Sequence, residues 1–173
     1  MKPVLIHEIP IKLPGDKTEV MNFEVWPRVR RSGYEHLVLE TTIDLMQKGF
    51  ITTINHEPDH MLFGLRDDNG DPVSYIVLDP KPSQELVHIV LGGTVPERHG
   101  QGLYQQLYFR MAYMISLTSD LFPGVEMIRK ITGCYHVQNH QAARMNAALG
   151  RQPVRVNTEQ TLGDAVEKMY EKS

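Results

Sequence analysis

Two glycines one residue apart, Gly100 and Gly102, stand between an apolar strand pattern and a long helical one. In LGGTVPERHGQGLY (residues 91–104) the order is strand, Val-Pro break, Gly-x-Gly, helix. Such a turn leaves backbone N–H groups bare, and the helix that follows points its positive end at whatever sits there. Both attract anions, and phosphate oxygens suit them best. Glycine at both positions lets a phosphate reach the backbone without meeting a Cβ. The predicted chemistry is a grip on a phosphate group. The Gly-Lys-Ser/Thr ending of a Walker loop is missing, as are the third glycine and the later acidic residue of a dinucleotide site.

Just upstream, ELVHIVL (residues 85–91) is a strand with one imidazole in it. Alternation sets His88 on a face with Val90 and Gly92, opposite Val87 and Ile89. Two readings stay open, a core histidine and a general base that takes a proton from an ammonium, directly or through water. Glu85 is a second candidate base on the same logic. Gly92 and Gly93 are unusual inside a strand; close approach of a ligand backbone explains them, and so does a β-bulge.

A third constellation, His56-Glu57-Pro58-Asp59-His60, has the letters of the zinc motif His-Glu-x-x-His. The mechanism behind those letters needs a helix, so that both imidazoles face one metal with the carboxylate beside it. Pro58 removes a helical N–H and biases Glu57 away from the helical region. A polar loop is the reading that physics favours, and no metal is expected. Arg28, Arg30 and Arg31 form a small basic cluster beside Trp26 and Pro27, read either as a solvated face or as a hold on an acidic or phosphorylated acceptor.

The glycine loop resembles the acyl-CoA pyrophosphate loop of the GNAT acetyltransferase superfamily. The usual form there is Pro-x-x-Arg/Gln-Gly-x-Gly-x-Gly/Ala, and here Pro96-Glu-Arg-His99-Gly100-Gln-Gly102-Leu-Tyr104 stands in its place. His99 departs from the preferred Arg or Gln, with Arg98 next door to supply charge, and Tyr104 departs from the third small residue. A second match follows in TGCYHVQNHQAARMNAALG (residues 132–150). Asn139 is a good N-cap, Ala142, Met145 and Leu149 recur at helical spacing, and Gly150 sits where a left-handed cap belongs. The superfamily has an Asn, a one-face apolar helix and a Leu-Gly-aromatic ending at this distance, the aromatic here being Arg151. Where it often places a tyrosine acid, seven residues after the Asn, this chain has Asn146.

The resemblance implies a mixed α+β (α/β) domain with a mostly antiparallel central sheet flanked by helices on both faces. It implies acetyl-CoA as co-substrate, an amine acceptor, and direct attack of that amine on the thioester in a ternary complex. Contacts to the cofactor would come from Gly93, Thr94, Val95, Arg98, His99, Gly100, Gln101, Gly102, Leu103, Tyr104 and Asn139. In the superfamily the strand before the loop splays from its neighbour, so free backbone groups near Gly93 to Val95 would pair with the pantetheine arm. His88 or Glu85 would be the base and Tyr135, after the next strand, the replacement acid. Two other classes stand beside this one: a non-catalytic CoA- or protein-binding module on the same fold, and a metal-dependent hydrolase using His56, Glu57 and His60.

The elements that must carry these residues follow from pattern. Residues 4–13 form a strand closed by Pro14-Gly15. Residues 19–29 suggest a short helix ending at Trp26-Pro27. Ser32-Gly-Tyr-Glu35 reads as a capping box for a helix to Lys48, with Leu37, Thr41 and Leu45 beside Leu39, Ile43 and Met46 as a broad apolar face. Residues 61–67 and 73–79 are strands joined by DDNGD, a strong hairpin signal. The loop helix spans about 102–120 with Leu103, Leu107, Met111 and Met114 on one side. A strand at 126–132, the Asn139 helix, a strand at 153–156 and a helix at 161–172 complete the order.

Residues 1–173 are long enough for one domain that buries about 70% of its unfolded surface. Hydrophobic residues at 41% and charged residues at 23% are ordinary globular values. A net charge of −3 gives no electrostatic case for nucleic acid or a membrane surface. One cysteine, Cys134, excludes an internal disulfide and a thiolate cluster. No long apolar run and no leader-like start are read, so a cytoplasmic setting is expected, with room for a homodimer.

Overall fold

A computed structural model describes residues 2–54, 56–136 and 138–151, in two units that meet after Cys134. The first unit is a six-stranded sheet in the order β1-β2-β3-β4-β5-β6. Its strands are β1 (Leu5–Leu13), β2 (Lys17–Trp26), β3 (Met61–Arg66), β4 (Pro72–Lys81), β5 (Leu86–Thr94) and β6 (Lys130–Gly133). Every pairing is antiparallel except β5 with β6. Helix α1 (Glu35–Gln47) links β2 to β3, and α2 (Leu103–Leu117) supplies the crossover that the parallel pair requires. This is the mixed, mostly antiparallel sheet that the resemblance implies.

The short helix expected over 19–29 is a strand instead. Gly15 (φ 77°) and Asp16 (φ 56°) take left-handed conformations and turn the chain straight back. Met21, Phe23 and Val25 then bury completely on one face. Period-2 burial against β1 and β3 overrides the local helical signals of Glu19 and Glu24. The strand at 126–132 is also shorter, a single 3₁₀ turn at 125–127 preceding β6.

Helix α1 begins at Glu35 with Tyr34 as its N-cap, and the box at its start is displaced. Ser32 Oγ accepts the Tyr34 N–H, while Glu35 Oε2 accepts the N–H of Gly33 rather than that of Ser32. The helix covers the sheet with Leu37 and Val38, in one cluster with Val29, Tyr34, Leu62, Tyr75, Val77 and Leu91. Leu39, Ile43 and Met46 remain exposed, so the apolar face is narrower than its sequence suggests. Tyr34 lies across Gly64, where a Cβ would stand 2.3 Å from the ring.

The other face belongs to α2. Phe63, Leu65, Ile76 and Leu78 alternate with the α1-side residues and are fully buried there. Leu103, Leu107 and Met111 meet them, each burial worth about 1.5–3 kcal/mol relative to exposure. Helices therefore flank both faces. The second unit opens at Tyr135 and holds α3 (His140–Ala148). The expected strand at 153–156 and helix at 161–172 lie outside the described residues. Among the described residues no helix is long and apolar enough to cross a membrane.

Candidate functional site

Strand β5 changes character along its length. From Leu86 to Ile89 it pairs with β4 on one side and with β6 on the other. From Val90 onward, among the described residues, only β4 remains beside it. Val95 donates its N–H to Val73 O and Gly93 O accepts from Ser74 Oγ at 3.0 Å. Alternation then turns the backbone groups of Gly92 and Thr94 away from β4, into the gap where β6 has parted.

A bulge marks the change. Val77 pairs with Leu91 but Leu78 pairs with Ile89, so Val90 is an extra residue in β5. This corrects the simple alternation expected of the strand. His88 pairs with Asp79, two residues from Val77, and so shares the α1 face with Leu91 and Gly93. Gly92 goes to the opposite face. There Tyr104 covers it, and a Cβ would meet the Tyr104 ring at 2.6 Å. At Gly93 a Cβ would stand 2.9 Å from Thr41 Oγ1 and 3.3 Å from the Tyr75 ring. Both glycines thus answer to side chains packed across the strand.

The loop after β5 spends its side chains inward. Arg98 pairs with Glu19 at 2.5 Å and donates from Nε to Gln101 Oε1 at 2.7 Å. Arg98 is therefore committed to β2, where the sequence suggested a free charge beside the glycines. His99 Nε2 lies 2.8 Å from Thr94 O, and a carbonyl only accepts, so the ring N–H donates. Gln106 Nε2 and Oε1 bind both backbone groups of Lys12 on β1. The long β1–β2 hairpin thereby holds the loop and the first turn of α2 in place.

The loop's backbone takes a shape that calls for glycine. Gly100 and Gly102 adopt φ of 78° and 76°, a left-handed conformation that side chains rarely take. A Cβ at Gly100 would meet nothing within 4 Å, so conformation rather than packing requires glycine there. Gly102 caps α2 without any side-chain hydrogen bond to the helix. The first-turn N–H groups of an α-helix have no intrahelical acceptor. Such a helix start fits a pyrophosphate.

His88 sits partly buried at the paired end of β5. Its Nδ1 is 3.0 Å from Thr132 Oγ1 on β6, its register partner. The Thr132 hydroxyl itself reaches toward Val87 O at 3.5 Å. With that proton turned to the carbonyl, the oxygen accepts from Nδ1–H and the lone pair falls on Nε2. Glu85 is not on the strand. It occupies an exposed left-handed turn (φ 57°) whose carbonyl accepts from Arg129 and Lys130, at the far end of β5 from the parting. Geometry favours His88 of the two.

The zinc motif has no helix under it. Residues 56–60 form a loop, and His60 Nδ1 accepts the Glu57 N–H at 3.0 Å. Its Nε2 turns instead toward Asp79 Oδ2, 4.0 Å away. His56 Nδ1 is buried with no hydrogen-bond partner, and burial, then the nearby His60, lowers its pKa. His56, Val29, Arg30, Glu35, Val38 and Pro58 line an open cleft of about 270 Å³.

One polar network was invisible in the sequence. Glu24, 5% exposed, accepts from Trp26 Nε1, Tyr34 Oη and Arg66 Nε, and Arg66 lies over the Tyr34 ring at 4.7 Å. Burial and the Glu24 carboxylate push the Tyr34 hydroxyl up, so it stays a donor. Forty-two residues separate Glu24 from Arg66, and no local pattern joins them.

In the second unit Asn139 caps α3 as expected, accepting the Ala142 N–H at 3.1 Å. Gly150 is left-handed at 74°. Asn146 donates to Ala142 O and accepts from Arg151 at 2.5 Å, so its amide serves the helix. Tyr135 is 37% exposed at the start of this unit.

No family model and no curated protein matches the sequence. Solved structures do match the fold. Ribosomal-protein-alanine N-acetyltransferase from Brucella melitensis biovar Abortus 2308 superposes with a TM-score of 0.55 at 11% identity, over 82% of this chain and 99% of that one. The chain has the GNAT fold. A Bacillus halodurans protein gives 0.56 at 13% identity, over 80% and 98%. N-acetylglutamate synthase from Neisseria gonorrhoeae, solved with coenzyme A and N-acetyl-glutamate, gives 0.50 at 13% identity over 87% of this chain. The chain spans about a third (32%) of that protein's length. At such identities the likeness extends to the GNAT architecture.

Proposed function

We propose that this chain is an acyl-CoA-dependent N-acetyltransferase acting on an amine acceptor, in the cytoplasm. The parting of β5 from β6 beyond Ile89, next to a left-handed glycine loop and an uncapped helix start, carries the reading. Pyrophosphate would lie against the helix start after Gly100 and Gly102, and the pantetheine arm along the edge that β6 leaves, at Gly92 and Thr94. Bound acetyl-CoA supplies the thioester to be attacked.

The protein's part is to hold both substrates side by side, polarise the carbonyl with edge N–H groups and accept a proton. His88 accepts it at Nε2, with Thr132 holding the ring's other nitrogen. Because Arg98 and His99 are turned inward, phosphate affinity would rest on backbone N–H groups and the helix end rather than on side-chain charge. The zinc-hydrolase alternative loses its support with the helix its motif needs.

The test is thermal. Acetyl-CoA at a hundred times its dissociation constant should add about 2.7 kcal/mol, a rise of roughly 5–10 °C in Tm for a chain this size. Adenosine should do much less, since it lacks the pyrophosphate. A melting curve unmoved by saturating CoA would sink the reading. Tight CoA binding with no amine acetylated would leave a CoA-binding module in its place.

A further inference from the structure

The α1 face of the sheet carries a polar row contributed by three adjacent strands and the residue that leads into a fourth. His60 precedes β3, Asp79 lies on β4, His88 on β5 and Thr132 on β6. Asp79 is the register partner of His88, and His88 that of Thr132. His60 Nε2 approaches Asp79 Oδ2 to 4.0 Å. Cross-strand neighbours on one face hold their Cβ atoms about 4.5–5.5 Å apart, so the side chains of Asp79 and His88 leave the sheet next to each other. Among the described groups facing Asp79, the lone carboxylate is its own. Lys81 Nζ reaches it at 3.7 Å from the same strand, His60 approaches it from the β3 side, and His88 is its register partner on β5.

Asp79 is built for a ligand more than for stability. Its contacts with Lys81 and His60 are long, and its side chain is 34% exposed, open to an incoming group. Glu24, by contrast, is 5% exposed and accepts three hydrogen bonds. A carboxylate kept loosely paired beside a proton acceptor attracts a cation, and the cation this reaction consumes is the acceptor's ammonium.

We infer that Asp79 is the specificity residue that recognises the acceptor as a cationic alkylammonium and delivers its nitrogen to His88. The inference rests on the acetyltransferase reading above. The ammonium R–NH3⁺ binds at the Asp79 carboxylate and gives one proton to His88 Nε2. The freed lone pair forms the C–N bond to the acetyl carbon, and the C–S bond breaks with its electron pair on sulfur. The nitrogen's second proton passes through water to that thiolate, leaving R–NH–CO–CH3 and coenzyme A thiol. The proton on His88 returns to solvent. Amines uncharged at neutral pH gain nothing from Asp79.

The experiment compares the whole chain with Asp79→Asn and Asp79→Glu. CoA affinity is measured first by calorimetry. Thiol release is then followed with acetyl-CoA and benzylamine, phenethylamine or 1,4-diaminobutane as ammonium probes, with aniline and benzohydrazide as neutral ones. CoA affinity should stay within twofold in both variants. Asp79→Asn should raise KM for the ammonium probes at least tenfold with kcat within threefold, and Asp79→Glu should recover most of that loss. Neutral probes should be poor and indifferent to the change. Unchanged KM, an equal loss on neutral probes, or a fall confined to kcat overturns the inference while the acetyltransferase reading stands. Failure of the unaltered chain to bind CoA ends that reading instead, and CoA binding without turnover of any probe ends both.

Discussion

The glycine loop at 96–102 and the histidine turn at 56–60 both match the letters of a functional motif, and they spend their hydrogen-bonding groups in opposite ways. In the glycine loop the side chains turn inward. Arg98 goes to Glu19, His99 to Thr94 O, and left-handed Gly100 and Gly102 lead the backbone into the start of α2. In the histidine turn the backbone consumes the side chain, since Glu57 N–H occupies His60 Nδ1. The first is left with a donor surface that fits an anion. The second keeps one edge of His60 turned toward Asp79, with His56 part-buried beside it. A motif acts through the groups its fold leaves unspent.

Breaking the donor surface should have the largest effect. Gly102→Val places a branched side chain where an anion must lie, and it forces a left-handed φ at roughly 1–2 kcal/mol. Inside the protein its Cβ would meet only Gln106 Nε2 at 3.7 Å, so the fold should survive with a lowered Tm. Gly49→Val is the matched control, being left-handed at 74° with open space around its Cβ. Calorimetry should show CoA binding abolished in the first and retained in the second. Equal retention in both would place the anion elsewhere.

Next in size is the imidazole that the histidine turn does not supply. His88→Gln should lower turnover by about 10²-fold on the amine the unaltered chain prefers, with CoA affinity little changed. The acidic limb of the pH–rate profile should vanish with it, since only the neutral ring accepts a proton. A variant with lower Tm but full turnover per folded molecule would make His88 a core residue.

A smaller effect separates anchoring from direct grip in the loop. Both partners of the Arg98–Glu19 pair are about one-fifth exposed. Arg98→Met and Glu19→Gln should each weaken CoA binding by roughly 1 kcal/mol, about fivefold, with the double variant no worse than either. If Arg98 instead contacts the phosphates, Glu19→Gln should leave affinity unchanged or raise it.

Much of this was legible in the sequence, and the failures share a cause. The glycine loop, the hairpin at 67–71, the apolar stripe of α2 and the Asn139 cap are set by residues within one turn of each other, so local chemistry decides them. The helix expected at 19–29 failed because Met21, Phe23 and Val25 take their pattern from β1 and β3, which local propensity cannot see. The bulge at Val90 has no residue signature of its own, yet it puts Gly93 in place of Gly92 on the face of His88. Arg98–Glu19, Glu24–Arg66 and the row His60–Asp79–His88–Thr132 unite residues far apart in the chain. Only strand register brings them together.

The smallest predicted effect lies in the histidine turn itself. Burial and the neighbouring His60 hold the His56 pKa below its ordinary value, so folding favours the neutral ring. Above about pH 6.5 the ring is neutral in both states and its contribution to stability is complete. As pH falls through that value the unfolded chain takes up the proton first, and stability declines until the folded ring is protonated too, after which it is flat. His60 opposes its charging, and Arg30 and Glu35 line the same cleft. His56→Gln removes this proton uptake and nothing else on that side of α1. Its Tm should therefore fall less than that of the unaltered chain between pH 7.5 and 5.5, while CoA affinity and zinc content stay as they were. Parallel losses in both proteins would mean that His56 charges freely. Stoichiometric zinc that vanishes in the variant would give the histidine turn the metal chemistry its letters suggest, and would reverse the contrast with the glycine loop.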